Sequence, residues 1–210
     1  MSSTDTIFYI VILIFSVIVH EISHGFMAER FGDHTARFAG RLTLNPLRHL
    51  DLFGSIILPI LLIVTKAGFI IGWAKPVPYN PNNFKNHKWG TIAVASAGIL
   101  ANIFIALLFG IAIRLGYYLN IVSDSFYFIT GMVVFVNVLL AFFNLMPFSP
   151  LDGSKILFAL LPERFRSIEV LFERYSIFIF LIFIFFIWTR IFPYILYVHI
   201  LITGTAPPFF

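Results

Sequence analysis

Val17-Ile18-Val19-His20-Glu21-Ile22-Ser23-His24-Gly25 is the stretch on which the reading of the chain turns. It places an HExxH pattern inside an apolar run that begins at Ile7. On a helix, His20 and His24 are four residues apart, so both imidazoles leave one face a turn apart. Two nitrogens at that spacing reach one zinc ion, and Glu21 beside them can take a proton from a water that the metal activates. A five-residue pattern recurs by chance and is weak by itself. Its setting strengthens it. Each ionisable group in a spanning helix costs about 2.5–3.5 kcal/mol on insertion scales, so three within one turn need a reason. The plain alternative is a polar seam that joins helices.

Composition sets the class. Of 210 residues, 60% are hydrophobic and 11% charged, and 27 are Phe. Soluble domains are about half apolar and a quarter charged, so the chain reads as an integral membrane protein with most of its length in or against lipid. It has no cysteine, which leaves the histidines and carboxylates to bind any metal. The net charge of +4 serves orientation in the membrane, and no basic, aromatic-interleaved stretch argues for nucleic acid. No Lys or Arg precedes the first apolar run and no small-x-small site follows it, so it does not read as a cleavable signal peptide.

Taken in order, the chain predicts an all-α polytopic membrane protein, read as one domain over 1–210 with its core at 7–160. Residues 7–28 form a first span, with 90–116, 126–147 and 176–198 as further spans, about four in all. Residues 35–45 alternate: Thr35, Arg37, Arg41 and Thr43 on one parity, Ala36, Phe38, Leu42 and Leu44 on the other. That period predicts strand, part of a small membrane-associated β-sheet or hairpin at the mouth of the site. Residues 52–72 are apolar but broken by Pro59 and by Thr65-Lys66-Ala67-Gly68, and are expected to be re-entrant. Gly72-Trp73-Ala74-Lys75-Pro76-Val77-Pro78 cannot be helix and reads as an edge strand or extended loop. Residues 163–175 read as an amphipathic helix in the interface. The Phe and Ile of the last span read as lipid-facing bulk.

A catalytic zinc usually takes three protein ligands and a water. The metzincin continuation would need Gly and His where Met27 and Arg30 stand. A downstream glutamate ligand also fails, because no Glu occurs between Glu29 and Glu163. Arg30, Arg37, Arg41 and Arg48 follow the motif, so the N-terminus is expected outside and the motif nearer the cytoplasm. If 52–72 enters and leaves on one side, the third span returns Asp152 to that same depth. Asp152 is then a third ligand, or a helix N-cap, a place Asp also favours.

His20-Glu21-Ile22-Ser23-His24, Ala97-Gly98 with Asn102, and Asn144-Leu-Met-Pro147-Phe-Ser-Pro-Leu151-Asp152-Gly153 together resemble the site-2 protease family, the intramembrane zinc metalloproteases of peptidase family M50. The likeness covers roughly residues 10–160. It implies one zinc ion held by His20, His24 and Asp152, with Glu21 as general base. It also implies that Asn144 holds substrate or stabilises the oxyanion, and that Asn102 supports the core. Gly72, Trp73, Ala74, Lys75 and Pro76 would meet an unwound substrate strand. The resemblance is to small bacterial members without a PDZ or CBS domain, so the expected setting is a bacterial inner membrane. The expected partners are the lipid bilayer and a membrane-protein substrate with a transmembrane helix, and a homodimer is compatible with the sequence. Phe148-Ser149 is a departure, standing where many members carry another proline or a small residue. The rival classes are a non-proteolytic membrane metalloprotein, such as a His-rich oxygenase or a metal transporter, and an inactive substrate-binding scaffold. His34, His49, His87 and His199 are scattered singly, which disfavours an oxygenase.

Overall fold

The computed structural model describes residues 3–57, 60–61, 64–65, 74–121 and 123–208. Seven α-helices carry most of the described chain: α1 (Ser3–Arg30), α2 (Thr35–Phe38), α3 (His87–Tyr118), α4 (Asp124–Asn144), α5 (Asp152–Leu160), α6 (Arg166–Arg174) and α7 (Ser176–Thr203). Four of them, α1, α3, α4 and α7, are long and apolar enough to cross a membrane. The 32 residues of α3 rise ~48 Å, more than a ~30 Å hydrocarbon core requires. Local chemistry sets the helix starts: the Asn86 side chain accepts from Trp89 N–H at α3, and Ser123 accepts from Phe126 N–H at α4.

Helix α3 is the axis of the bundle and touches α1, α4, α5 and α7. Its buried face is rich in small residues, Ala95, Ala97, Gly98, Ala106 and Gly110, which let neighbouring backbones approach. A Cβ at Gly110 would lie 2.1 Å from Ile202 of α7. Ala106 and Ile113 pack there with Val134, Phe135 and Val138 of α4 and Ile195 of α7. The outward face, with Leu100, Phe104, Leu107, Leu108 and Ile111, is exposed and apolar. Lipid is the solvent that such a surface suits.

Helix α7 is more than lipid-facing bulk. Phe178, Phe185 and Phe186 are exposed, but Phe183 is buried against Phe148 and Leu151. It sits at the start of a π-helical turn, Phe183–Ile187. The amphipathic segment is borne out as helix over Arg166–Arg174, preceded by a 3-10 turn at Glu163–Phe165.

The predicted sheet is not formed: among the described residues there is no strand. Residues 35–38 make a helical turn instead, followed by a left-handed Gly40 (φ +63°). The alternation misled because the burial runs the other way. Phe38 and Leu44 are exposed, whereas Arg41 is buried with Ala36, since its guanidinium has carbonyl partners inside. The 74–80 segment is extended but unpaired by any ladder. The re-entrant path expected over 52–72 finds no support either. Leu52–Ile57 forms a π-helical turn and residues 60, 61 and 64 are helical, while much of the remainder lies outside the described residues.

Asp33 fastens the end of α1 to the loop that leads into α3. Its Oδ1 accepts from Asn83 Nδ2 at 2.7 Å and from the Thr35 hydroxyl at 2.5 Å, and its Oδ2 accepts from Asn80 N–H at 2.7 Å. Burial pushes its carboxyl up, but the donors of Thr35, Asn80 and Asn83 outweigh burial and hold it below the usual carboxylate range. Asp33→Ala is expected to lower stability by about 2 kcal/mol at neutral pH. Because the folded-state pKa is depressed, the stabilisation is complete above the unfolded value of about 3.9 and is lost as pH falls through the folded value. Thermal unfolding in detergent should therefore show a wild-type–variant gap that is constant near neutrality and narrows below about pH 4.

Candidate metal centre

Residues His20 and His24 leave α1 on the face turned to α3 and α5, and both are buried. Asp152, the first residue of α5, comes to meet them and is also buried. The three ligating atoms form a triangle: His20 Nε2 and His24 Nε2 are 3.0 Å apart, and Asp152 Oδ2 lies 3.1 Å from the first and 3.0 Å from the second. Ligands around a tetrahedral zinc, at bonds of about 2.0–2.1 Å, sit about 3.3 Å from one another. Among the described residues this is the cluster of His and acidic side chains that could hold a metal ion.

Where the protons sit decides whether the donor set fits. His20 Nδ1 donates to Asn102 Oδ1 at 2.7 Å, and His24 Nδ1 donates to the Val94 carbonyl at 2.7 Å. Both partners are acceptors, so each ring carries a hydrogen on Nδ1 and, in its neutral form, turns a bare lone pair inward from Nε2. Two imidazole lone pairs and a carboxylate oxygen then face one another with no hydrogen between them. Such a group repels itself unless a cation stands among the three atoms, and orientation of a ligating His through its other nitrogen is the usual arrangement. The donor set of two imidazoles and a carboxylate fits zinc.

Two glycines make the geometry possible. A Cβ at Gly98 would lie 2.5–2.6 Å from three atoms of the His20 ring, so the ring lies flat against bare backbone of α3. At Gly153 a Cβ would fall 2.2 Å from the Leu145 carbonyl, so the turn after α4 and the start of α5 touch backbone to backbone. Leu151 occupies the N-cap position of α5, and the Asp152 side chain makes no capping bond. Its second oxygen, Oδ1, accepts from Lys155 Nζ at 2.9 Å. Burial raises the Asp152 carboxyl, and the Lys155 ammonium bonded to Oδ1 counters it by favouring the ionised form. The loop between α4 and α5 is anchored where Phe148 and Leu151 pack against Phe183 of α7.

Glu21 turns to the 74–80 segment, where its Oε2 accepts from Val77 N–H at 2.8 Å. That segment is itself held in place. Arg41 Nη2 donates to the Lys75 carbonyl at 2.7 Å and to that of Pro76 at 3.2 Å, and Lys75 N–H donates to the His49 carbonyl at 2.8 Å. Gly25 gives it room on α1, since a Cβ there would press on Leu42 and Val77. The N–H groups of Lys75 and Val77 are thus already engaged within the chain, and Pro76 and Pro78 have none.

Of the remaining candidates, Gly72 and Trp73 lie outside the described residues. Ala74, Lys75 and Pro76 lie on the segment that crosses Glu21. Asn144 sits at the last residue of α4, half-buried, and donates to its own Leu140 carbonyl at 3.0 Å. Asn102 is fully buried and, beyond supporting the core, touches a ring of the centre. Sequence reasoning gave Arg41, Lys155 and Asn137 no part in the site. Lys155 could have been found, because Asp and Lys three residues apart share a helix face. The partners of Arg41 are 34 and 35 residues away, which no local pattern signals.

The family model for Peptidase family M50 matches residues 8–119 and 111–187. YwhC of Bacillus subtilis strain 168, described as a candidate zinc metalloprotease, is 35% identical over 187 residues, which is 83% of this chain and 78% of that protein. Rip2 of Mycolicibacterium smegmatis, similarly described, is 32% identical over 139 residues, and Rip2 of Mycobacterium tuberculosis strain H37Rv is 31% identical over 138. Each Rip2 alignment covers 66% of this chain and 51% of the relative. No solved structure matches the chain. The family model spans most of the sequence and includes the residues of the centre, and the chain therefore belongs to peptidase family M50.

Proposed function

We propose that the chain is an intramembrane zinc metalloprotease in which His20, His24 and Asp152 hold the ion and Glu21 is the general base. The observation that carries this reading is the inward meeting of two Nε2 lone pairs and one carboxylate oxygen, within 3.1 Å of each other, among membrane-spanning helices. Zinc bound there supplies a Lewis acid that makes a water nucleophilic near neutral pH. Glu21 accepts the proton of the attacking water and returns it to the leaving amine nitrogen of the peptide. Val77 N–H aims the Glu21 carboxylate, and Lys155 keeps one oxygen of Asp152 occupied so that the other serves the ion. Asn144, the last residue of α4, is the donor we assign to the substrate carbonyl or the developing oxyanion. A helical substrate must unwind before its carbonyls are free. The segment of Ala74, Lys75 and Pro76 would then lie beside the freed strand.

The substrate we assign is a membrane protein with a transmembrane helix, in a bacterial inner membrane. Arg30, Arg37, Arg41 and Arg48 follow the centre in sequence, which supports an external N-terminus and a centre nearer the cytoplasm. The oxygenase and transporter alternatives have no second ligand cluster among the described residues to support them.

Co-reconstitution with single-span reporter proteins tests the reaction. Wild type is expected to cut within a reporter's membrane segment, and Glu21→Gln to slow cleavage by about 10²–10⁴-fold while its zinc content stays at one per chain. Equal cleavage by both proteins would sink the assignment of Glu21. Gly98→Ala tests the geometry separately. The new methyl displaces the His20 ring, so zinc content measured by elemental analysis should fall well below one per chain in a protein that remains monodisperse in detergent. Full zinc occupancy in that variant would contradict the packing of His20 on α3.

A further inference from the structure

Three helices meet behind His20 in a short file of polar groups buried among apolar neighbours. Ser16 lies one turn before His20 on α1, Asn102 is on α3 and Asn137 on α4, and all three are buried. Asn137 Nδ2 donates to the carbonyl of Val133 and to Ser16 Oγ, both at 2.9 Å. Asn137 Oδ1 accepts from Asn102 Nδ2 at 2.8 Å, and that same nitrogen points to the Ser16 carbonyl at 3.4 Å. Asn102 Oδ1 then accepts from His20 Nδ1 at 2.7 Å.

The polarity of this file is fixed from its far end. A backbone carbonyl only accepts, so Val133 dictates which end of the Asn137 amide faces it. Asn137 is left with its oxygen toward Asn102, which must answer with its nitrogen. Asn102 is left with its oxygen toward His20, which must answer with a hydrogen on Nδ1. Reversing any one amide would set like groups against each other at a buried site, at the loss of a hydrogen bond on both sides.

We infer that Asn137 and Ser16 are positioning residues for the metal: through Asn102 they lock His20 in the Nδ1–H tautomer and so hold its Nε2 lone pair open to the ion. This rests on the reading of His20 as a zinc ligand. It gives the polar side chains at the bundle centre a task that helix adhesion alone does not require, because adhesion would be served by either polarity. His24 needs no such file, since its Nδ1 meets the Val94 carbonyl directly.

The test uses the full chain in detergent and reads zinc affinity and tautomer, not activity. Asn137→Leu removes the nearer of the two acceptors that orient the Asn102 amide and leaves only the Ser16 carbonyl at 3.4 Å, so the amide turns over more readily. It is expected to weaken zinc 10–100-fold in chelator competition, the usual range for outer-sphere partners of a ligating His. In the zinc-free protein, the ¹⁵N imidazole signals of His20, identified by their loss in His20→Gln, should show Nδ1–H in wild type and a mixture with Nε2–H in Asn137→Leu. Asn102→Leu should weaken zinc likewise. Asn102→Asp keeps an acceptor facing His20 and, in its protonated form, donates its other oxygen to Asn137 Oδ1, so it should stay within about threefold of wild type, and this pair decides the matter if Asn137→Leu does not fold. Wild-type zinc affinity and an unchanged tautomer in Asn137→Leu, or equal loss in Asn102→Leu and Asn102→Asp, would overturn the inference. Asp152→Ala separates the two layers. If it too keeps zinc, the ligand assignment itself has failed. If it loses zinc while Asn137→Leu keeps it, only the positioning role has failed.

Discussion

Three acceptor atoms that point at one another without a hydrogen between them are the constraint on which the rest of this structure depends. His20 Nε2, His24 Nε2 and Asp152 Oδ2 stand 3.0–3.1 Å apart among helices whose outer faces are hydrocarbon. Water cannot relieve them freely at that depth, and a polar group left unpaired there costs several kcal/mol. The bundle answers by controlling the other side of each group. His20 and His24 each give their Nδ1 hydrogen to an acceptor, and Asp152 gives its spare oxygen to Lys155. Every polar atom around the centre thereby has a direction, and the inward one is reserved for a cation.

Close packing follows from the same demand. The His20 ring can reach the centre because Gly98 offers bare backbone, and α5 can begin against the end of α4 because Gly153 does the same. Helix α3, with its small-residue face, is the surface on which α1, α4, α5 and α7 are assembled. The 74–80 segment closes the side of Glu21. It is not stabilised as a strand would be, through a ladder. It hangs instead on a buried arginine, on the His49 carbonyl and on the carboxylate of Glu21. The base and the segment that faces it are therefore mechanically one unit.

What the sequence made legible was whatever is local or carried by hydropathy. The four long apolar helices were readable from runs and their breaks. The pairing of His20 with His24 was readable from spacing on a single helix. Asp152 was reached by counting membrane crossings and by resemblance, although the re-entrant segment used in that count finds no support in the described residues. The misread sheet at 35–45 shows where pattern fails. Alternation implies strand only when one face is buried, and here Arg41 goes inside and Phe38 outside. Asn102 and His20 are 82 residues apart and Asn137 and Ser16 are 121. Contacts of that range belong to the packing of helices, and no periodicity in one segment encodes its partner in another. The same holds for Phe183, one aromatic among many on α7, whose burial against Phe148 is invisible until the helices are placed.

The anchoring of the α4–α5 loop on Phe183 bears on how the protein comes into being. During synthesis and insertion, His20 and His24 enter the bilayer with the first helix, long before Asp152 leaves the ribosome. The loop that carries Asp152 gains its apolar seat only once α7, which follows it in the chain, has docked behind it. Until then the half-made chain holds two of the three groups and lacks the wall against which the third is braced. Completion of the metal centre is thus coupled to the docking of a helix made after it, so that a site embedded among newly inserted helices matures only when the wall behind it is in place.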